Sequence, residues 1–135
     1  MNTALMIRTM RFIADHEERW DQNHYGRQIQ AAQGCYTTHC FAGWAMILGG
    51  WEWSWDRHGE ARLAKDGRTI SSWHCDDEAR VLLGLTDRQV CTIFYSFTDN
   101  MQKLAQQVGY VIGMDPFGPE ADKILAASSE EKTHD

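Results

Sequence analysis

Two adjacent imidazole and thiol pairs, His39-Cys40 and His74-Cys75, with Cys35 upstream, are the residues of this 135-residue chain best suited to chemistry. Zinc takes four soft ligands at tetrahedral corners. The clusters C-x3-H-C and H-C would supply them if an intervening hairpin folds back over the start of a helix at Cys40. The spacing matches no recognised zinc pattern, since Cys35 and Cys40 are five apart and neighbouring His and Cys seldom hold one ion. A second chemistry is a reactive thiolate at Cys40, which would sit in the first turn of a helix with His39 beside it. Phe41 and Trp44 oppose it, because apolar surroundings disfavour a thiolate. The plainest reading makes Cys40 a small buried hydrophobe and His39 a polar residue near a capped helix end.

Indole rings are the other unusual resource. Six Trp occur in the chain, and Trp44, Trp51, Trp53 and Trp55 fall within twelve positions. Such rings line binding surfaces or fill core corners, since each hides a large area. A third constellation is the segment from Asp77 through Val90, which has the outline of a helix-turn-helix. Gly84 would sit in the turn, with Arg88 and Gln89 opening the second helix, and these residue types read guanine and adenine edges. That second helix then continues without a Lys or Arg to hold phosphates, and Asp76, Asp77 and Glu78 lie on the helix before it.

The elements that must position these groups follow from periodicity. Leu5, Met6, Ile7, Met10, Phe12 and Ile13 recur at helical spacing from Thr3, with Arg8, Arg11, Asp15 and Glu18 on the other face. Residues 20–34 are polar and read as loop or a short helix, with Tyr25 and Ile29 as anchors. Thr37 or Thr38 can cap a second helix, whose run from Cys40 to Leu48 carries no charge and therefore reads as buried on every side. Ala42, Gly43 and Ala45 let a neighbour approach it closely, and Gly49-Gly50 ends it. The alternation of Trp51, Trp53 and Trp55 is that of a short strand or an aromatic loop, and Asp66-Gly67 between two short segments predicts a two-stranded hairpin. Ser72 or Asp76 opens a third helix with Ala79, Val81, Leu82 and Leu83 as apolar positions. Thr86 and Gln89 form a capping box for a fourth through Phe97. Thr98 or Asp99 caps a fifth, and Pro119 suits the first turn of a last helix over 120–127.

The expected fold is mainly α: one globular domain over residues 1–127, of five to six helices with a small inserted β-hairpin, and a polar flexible tail over 128–135. With 43% hydrophobic and 24% charged residues, the chain is composed to bury a core. Thirteen basic against nineteen acidic residues give a net charge of -6, which repels a phosphate backbone and makes nucleic acid an unfavoured partner. No apolar run reaches membrane-spanning length, so no membrane partner is expected. Arg8 and Arg11 lie inside the first apolar pattern and no cleavage site follows, so no signal peptide is read. Four Cys without one point to a reducing cytoplasm, with free thiols or a metal site favoured over structural disulfides.

Trp20-Asp21-Gln22, the stretch Cys35-Tyr36-Thr37-Thr38-His39-Cys40-Phe41-Ala42-Gly43-Trp44-Ala45, and Ala79 to Thr86 with Gln89 and Phe94 resemble a family of small uncharacterised proteins from actinobacteria and their bacteriophages. The shared pattern is roughly W-D/N-Q, C-x4-C-F/I-A-G-W/H-A, a hairpin, and A-x-x-L-L-G-L-T-x-x-Q. It covers about residues 12–105 of this chain. Tyr36 departs from it, standing where Gly more often follows the first Cys, which disfavours a tight metal-binding turn at Cys35. The resemblance implies a phage or actinobacterial cytoplasmic protein and brings no activity, cofactor or site.

The leading expectation is a non-enzymatic accessory protein that binds a host protein or a second copy of itself. Its contact surface would be Trp51, Trp53 and Trp55 with the hairpin tip at Lys65 and Arg68. The alternatives are a metal- or thiol-dependent enzyme or zinc-stabilised domain built on Cys35, His39, Cys40, His74 and Cys75, and a helix-turn-helix DNA-binding regulator.

Overall fold

The computed structural model describes residues 1–20, 27–31, 34–38, 40–55, 61–71, 74–94 and 100–133. Six helices and five short strands follow one another as α1 (Thr3–Asp15), β1 (Arg27–Ala31), β2 (Gly34–Thr38), α2 (Phe41–Leu48), β3 (Glu52–Trp55), β4 (Ala61–Lys65), β5 (Arg68–Ser71), α3 (Cys75–Leu83), α4 (Asp87–Ile93), α5 (Met101–Ile112) and α6 (Pro119–Thr133). The architecture is mainly α, with a three-stranded antiparallel sheet, β3-β4-β5, inserted after the central helix and a separate β1-β2 ribbon ahead of it.

α1 forms where the 3.6-residue pattern predicts it. The Asn2 side chain accepts a bond from the Leu5 N-H, and Leu5, Met6, Ile7, Met10 and Ile13 are buried along one stripe. Thr9 is buried among them because its hydroxyl donates to the Leu5 carbonyl at 2.7 Å, leaving no unmet donor. The polar face is used as well. Arg8 Nη2 donates to the Leu48 carbonyl at the end of α2, while Arg11 Nε donates to the Pro116 carbonyl at 2.8 Å and its Nη2 pairs with Asp122 at 2.7 Å. Two cations of one helix therefore tie it to two others.

α2 is the central element. Phe41, Ala42, Gly43, Trp44, Ala45 and Met46 are all buried, as an uncharged helix requires. Its cap differs from the expected threonines. Thr37 and Thr38 belong to β2, and Cys40, extended at φ -74° and ψ -177°, holds the N-cap position with its Sγ 3.5 Å from the Gly43 N-H. At the other end Gly50, not Gly49, takes the left-handed conformation, with φ +102° against -83°.

The inserted sheet is decided by the Asp66-Gly67 turn, whose φ values of +51° and +82° are those of a type I′ hairpin, matched to strand twist. The aromatic alternation adds a third strand, so the expected ribbon is a sheet. Trp53 pairs with Leu63 and Leu63 with Ile70, which puts these three on one face, and Leu63 is fully buried. The period of two assigns Lys65 and Arg68 to that same face, leaving Glu52, Ser54, Arg62 and Thr69 on the other.

Three further readings change. The ribbon of β1 and β2 takes in residues 27–31 and Gly34 of the stretch 20–34 that was expected as loop or short helix, and runs on to Thr38, with Ile29 opposite Tyr36; its β-branched and aromatic residues are too few to reveal a strand period. α6 continues through Thr133 where a tail was expected from 128, because the stretch lacks Gly and Pro and Glu130, Glu131 and Lys132 favour helix. α5 is capped by Asn100, whose side chain accepts from the Lys103 N-H; Thr98 and Asp99 lie outside the described residues, as do Tyr25 and Ser72.

Candidate functional site

α2 and α3 pack side by side, and the contacts at their ends give their direction. At the C-terminal end, a Cβ added to Gly49 would lie 2.6 Å from Leu82 Cδ2. At the N-terminal end, where Cys40 caps α2 and Cys75 is the first residue of α3, the Cys75 thiol senses Cys40 as a neighbour. The helices therefore run parallel. At 1.5 Å per residue, Cys40 and Cys75 stand level to within about 3 Å along the shared axis. Both thiols are buried, at 3% and 0% exposure, in one apolar cluster. Burial pushes the Cys75 thiol far up, and the neighbouring Cys40 and then Asp76 push it further. That is the reverse of the activation a nucleophilic thiol needs.

The structure thus brings together two of the five sequence-identified metal candidates. His74 is exposed at the N-cap of α3 and makes no side-chain capping bond. Cys35 lies on β2, opposite Gln30, and His39 lies outside the described residues. Among the described residues, no group of three or more His, Cys, Asp or Glu is placed to hold a metal ion.

The C-terminal end of α2 carries a different set. Lys65 Nζ donates to the Gly49 carbonyl at 2.9 Å, which with Arg8 on the Leu48 carbonyl satisfies the end of α2 and opposes its negative pole. Arg68 Nη2 bonds Glu78 Oε1 at 2.6 Å, and its guanidinium lies 5.5 Å from the centroid of the Trp51 ring. Between hairpin tip and α3 these groups line a cleft of about 280 Å³, with Asp66, Val81 and Leu82 completing its wall. Val81 is 72% exposed.

The residues of the expected contact surface divide in this arrangement. Trp51 is only 6% exposed and Trp53 is half-buried, its Nε1 donating to the Gly43 carbonyl at 3.4 Å, so both rings are packing groups. The face they share with Leu63 is the covered one. Nothing is described of the Trp55 side chain. Lys65 and Arg68 do reach the cleft. Val81, read as one of the apolar positions of the third helix, stands exposed. Ala79 and Leu83, four apart, are buried, and a position midway between them points the opposite way.

The α3-α4 corner has the helix-turn-helix outline, with Gly84 left-handed and both capping-box bonds made: Gln89 N-H to Thr86 Oγ1 at 3.2 Å and Thr86 N-H to Gln89 Oε1 at 2.9 Å. The Gln89 amide is thereby engaged with its own helix. Arg80 pairs with Asp87 at 3.0 Å, and α4 is seven residues long. No described helix is long and apolar enough to cross a membrane. Set against known protein families, curated proteins and solved structures, the chain matches none of them.

Proposed function

We propose that this chain is a non-enzymatic accessory domain that binds another protein through the cleft between the β4-β5 tip and α3. The observation that carries this reading is Val81, an aliphatic side chain left 72% exposed at the rim of a cleft with Trp51 and Leu82 in its wall. At about 280 Å³ the cleft is at the bottom of the range that encloses small ligands, and it suits one anchoring side chain of a partner. Arg68 and Glu78 close its edge as a polar rim of the kind that surrounds an interface anchor. With a net charge of -6 on each copy, two copies of this chain repel one another, which favours a different, neutral or basic partner. The resemblance to actinobacteriophage proteins points to a host protein in that role.

The test is affinity capture from actinobacterial host lysate with the wild-type chain and with Val81→Asp, alongside sedimentation of the purified chain. A specific partner held by wild type and lost by Val81→Asp is expected. A monomer that captures nothing, or a partner held equally by both chains, would overturn the reading, and a dimer abolished by Val81→Asp would replace the host protein with a second copy.

A further inference from the structure

In the order β3-β4-β5, β5 is an outer strand, and among the described residues no strand lies against its far side. The two-residue Asp66-Gly67 turn makes Lys65 and Arg68 the hydrogen-bonded pair that closes the hairpin. Bonded and non-bonded pairs alternate along an antiparallel ladder. Leu63 and Ile70 are therefore bonded next, while Thr69 and Ser71 direct their backbone N-H and C=O groups away from β4. Thr69 is exposed. We propose that an extended segment of a partner protein adds to this edge as the fourth strand of the sheet. The segment enters beside the cleft between hairpin tip and α3, and the inference rests on the protein-binding reading of that cleft.

Edge strands of natural proteins are guarded by Pro, by bulges or by charges held over the edge. β5 pairs with β4 at four consecutive positions without a bulge and contains no Pro. Its one charge, Arg68, is held on the covered face by Glu78 and the Trp51 ring, away from the edge. The cleft says what the new strand would cover. Arg68, Glu78 and Val81 share its lining, so a strand beyond β5 extends the sheet across the exposed flank of α3, with an apolar side chain laid on Val81. Backbone bonds to Thr69 and Ser71 then supply affinity, and the pocket chooses the side chain at alternate positions. Asp77 and Glu78 in the first turn of α3, with the net charge of -6, favour basic residues in the segment.

The experiment titrates the full chain against a fluorescent heptapeptide of alternating lysine and valine, read by anisotropy, and against two forms of it N-methylated at alternate amides, one form for each edge of the peptide. All three carry the same charge, so general attraction to an acidic protein does not separate them. Wild type is expected to bind the parent peptide and one methylated form and to lose the other. Thr69→Pro removes an N-H that makes no bond to β4, so circular dichroism should show the fold kept while binding weakens roughly tenfold or more. Thr69→Val keeps that N-H and should bind as wild type does. Absence of binding by wild type, methylated forms that behave alike, or Thr69→Pro equal to wild type would overturn the proposal. Binding lost in Val81→Asp but unchanged in Thr69→Pro would keep the cleft and overturn the added strand. Binding lost in Thr69→Pro but unchanged in Val81→Asp would keep the strand and overturn the cleft.

Discussion

The two ends of the parallel α2-α3 pair are built from opposite chemistries. At the N-terminal end the residues are Cys40 and Cys75, two buried thiols. At the C-terminal end of α2 they are Lys65 and Arg8, cations donating to the Gly49 and Leu48 carbonyls, while Arg68 reaches Glu78 in the first turn of α3 and the Trp51 ring. Helix polarity accounts for the division. The C-terminal carbonyls are orphan acceptors that cations satisfy, while the N-terminal end favours groups able to carry negative charge. Because the helices are parallel, their poles add instead of cancelling. An antiparallel pair would have given each end one pole of each sign, and neither a thiol pair nor a cationic seam would have resulted.

The largest test of this comparison removes the filling both ends share. Phe41→Ala deletes a fully buried ring at the start of α2 and is expected to cost about 3–5 kcal/mol in denaturant unfolding. A cost near that of a surface change would mean that the helix is not central. Next in size is Gly49→Ala, whose new Cβ meets Leu82 Cδ2 and which should lose roughly 1–3 kcal/mol. Leu82→Ala in the same chain should recover part of that loss. No coupling between the two sites would break the parallel packing itself.

Smaller effects refine the picture. Lys65→Met takes away the donor on the Gly49 carbonyl and should cost about 0.5–1.5 kcal/mol in chemical denaturation. Arg68→Gln acts on an exposed ion pair and should move the unfolding midpoint by at most ~1 kcal/mol. A larger loss from Arg68 than from Lys65 would reverse which contact fastens the hairpin tip.

Much of the fold is legible residue by residue. The Asp66-Gly67 turn, the Thr86-Gln89 capping box, Pro119 at the start of α6 and the uncharged run of α2 each rest on interactions within a few residues, so each can be read locally. The β1-β2 ribbon escaped because its pairing joins polar strands whose partner is not visible from either alone. The candidate site was half legible. Lys65 and Arg68 were found through the turn that presents them, and Cys40 and Cys75 through their chemistry. Val81 was missed although the spacing of Ala79 and Leu83 already placed it on the far side of α3.

What the chain determines by itself is the presence of its helices, the hairpin turn and the acidic charge, all of which depend on neighbours in sequence. The tertiary structure decides which thiols meet and which face of the sheet is covered. Period two puts Trp53 and Trp55 together but is silent about whether that face meets helices or solvent. Cys40 and Cys75 are separated by the whole inserted sheet, and only the direction in which α3 packs on α2 brings them level.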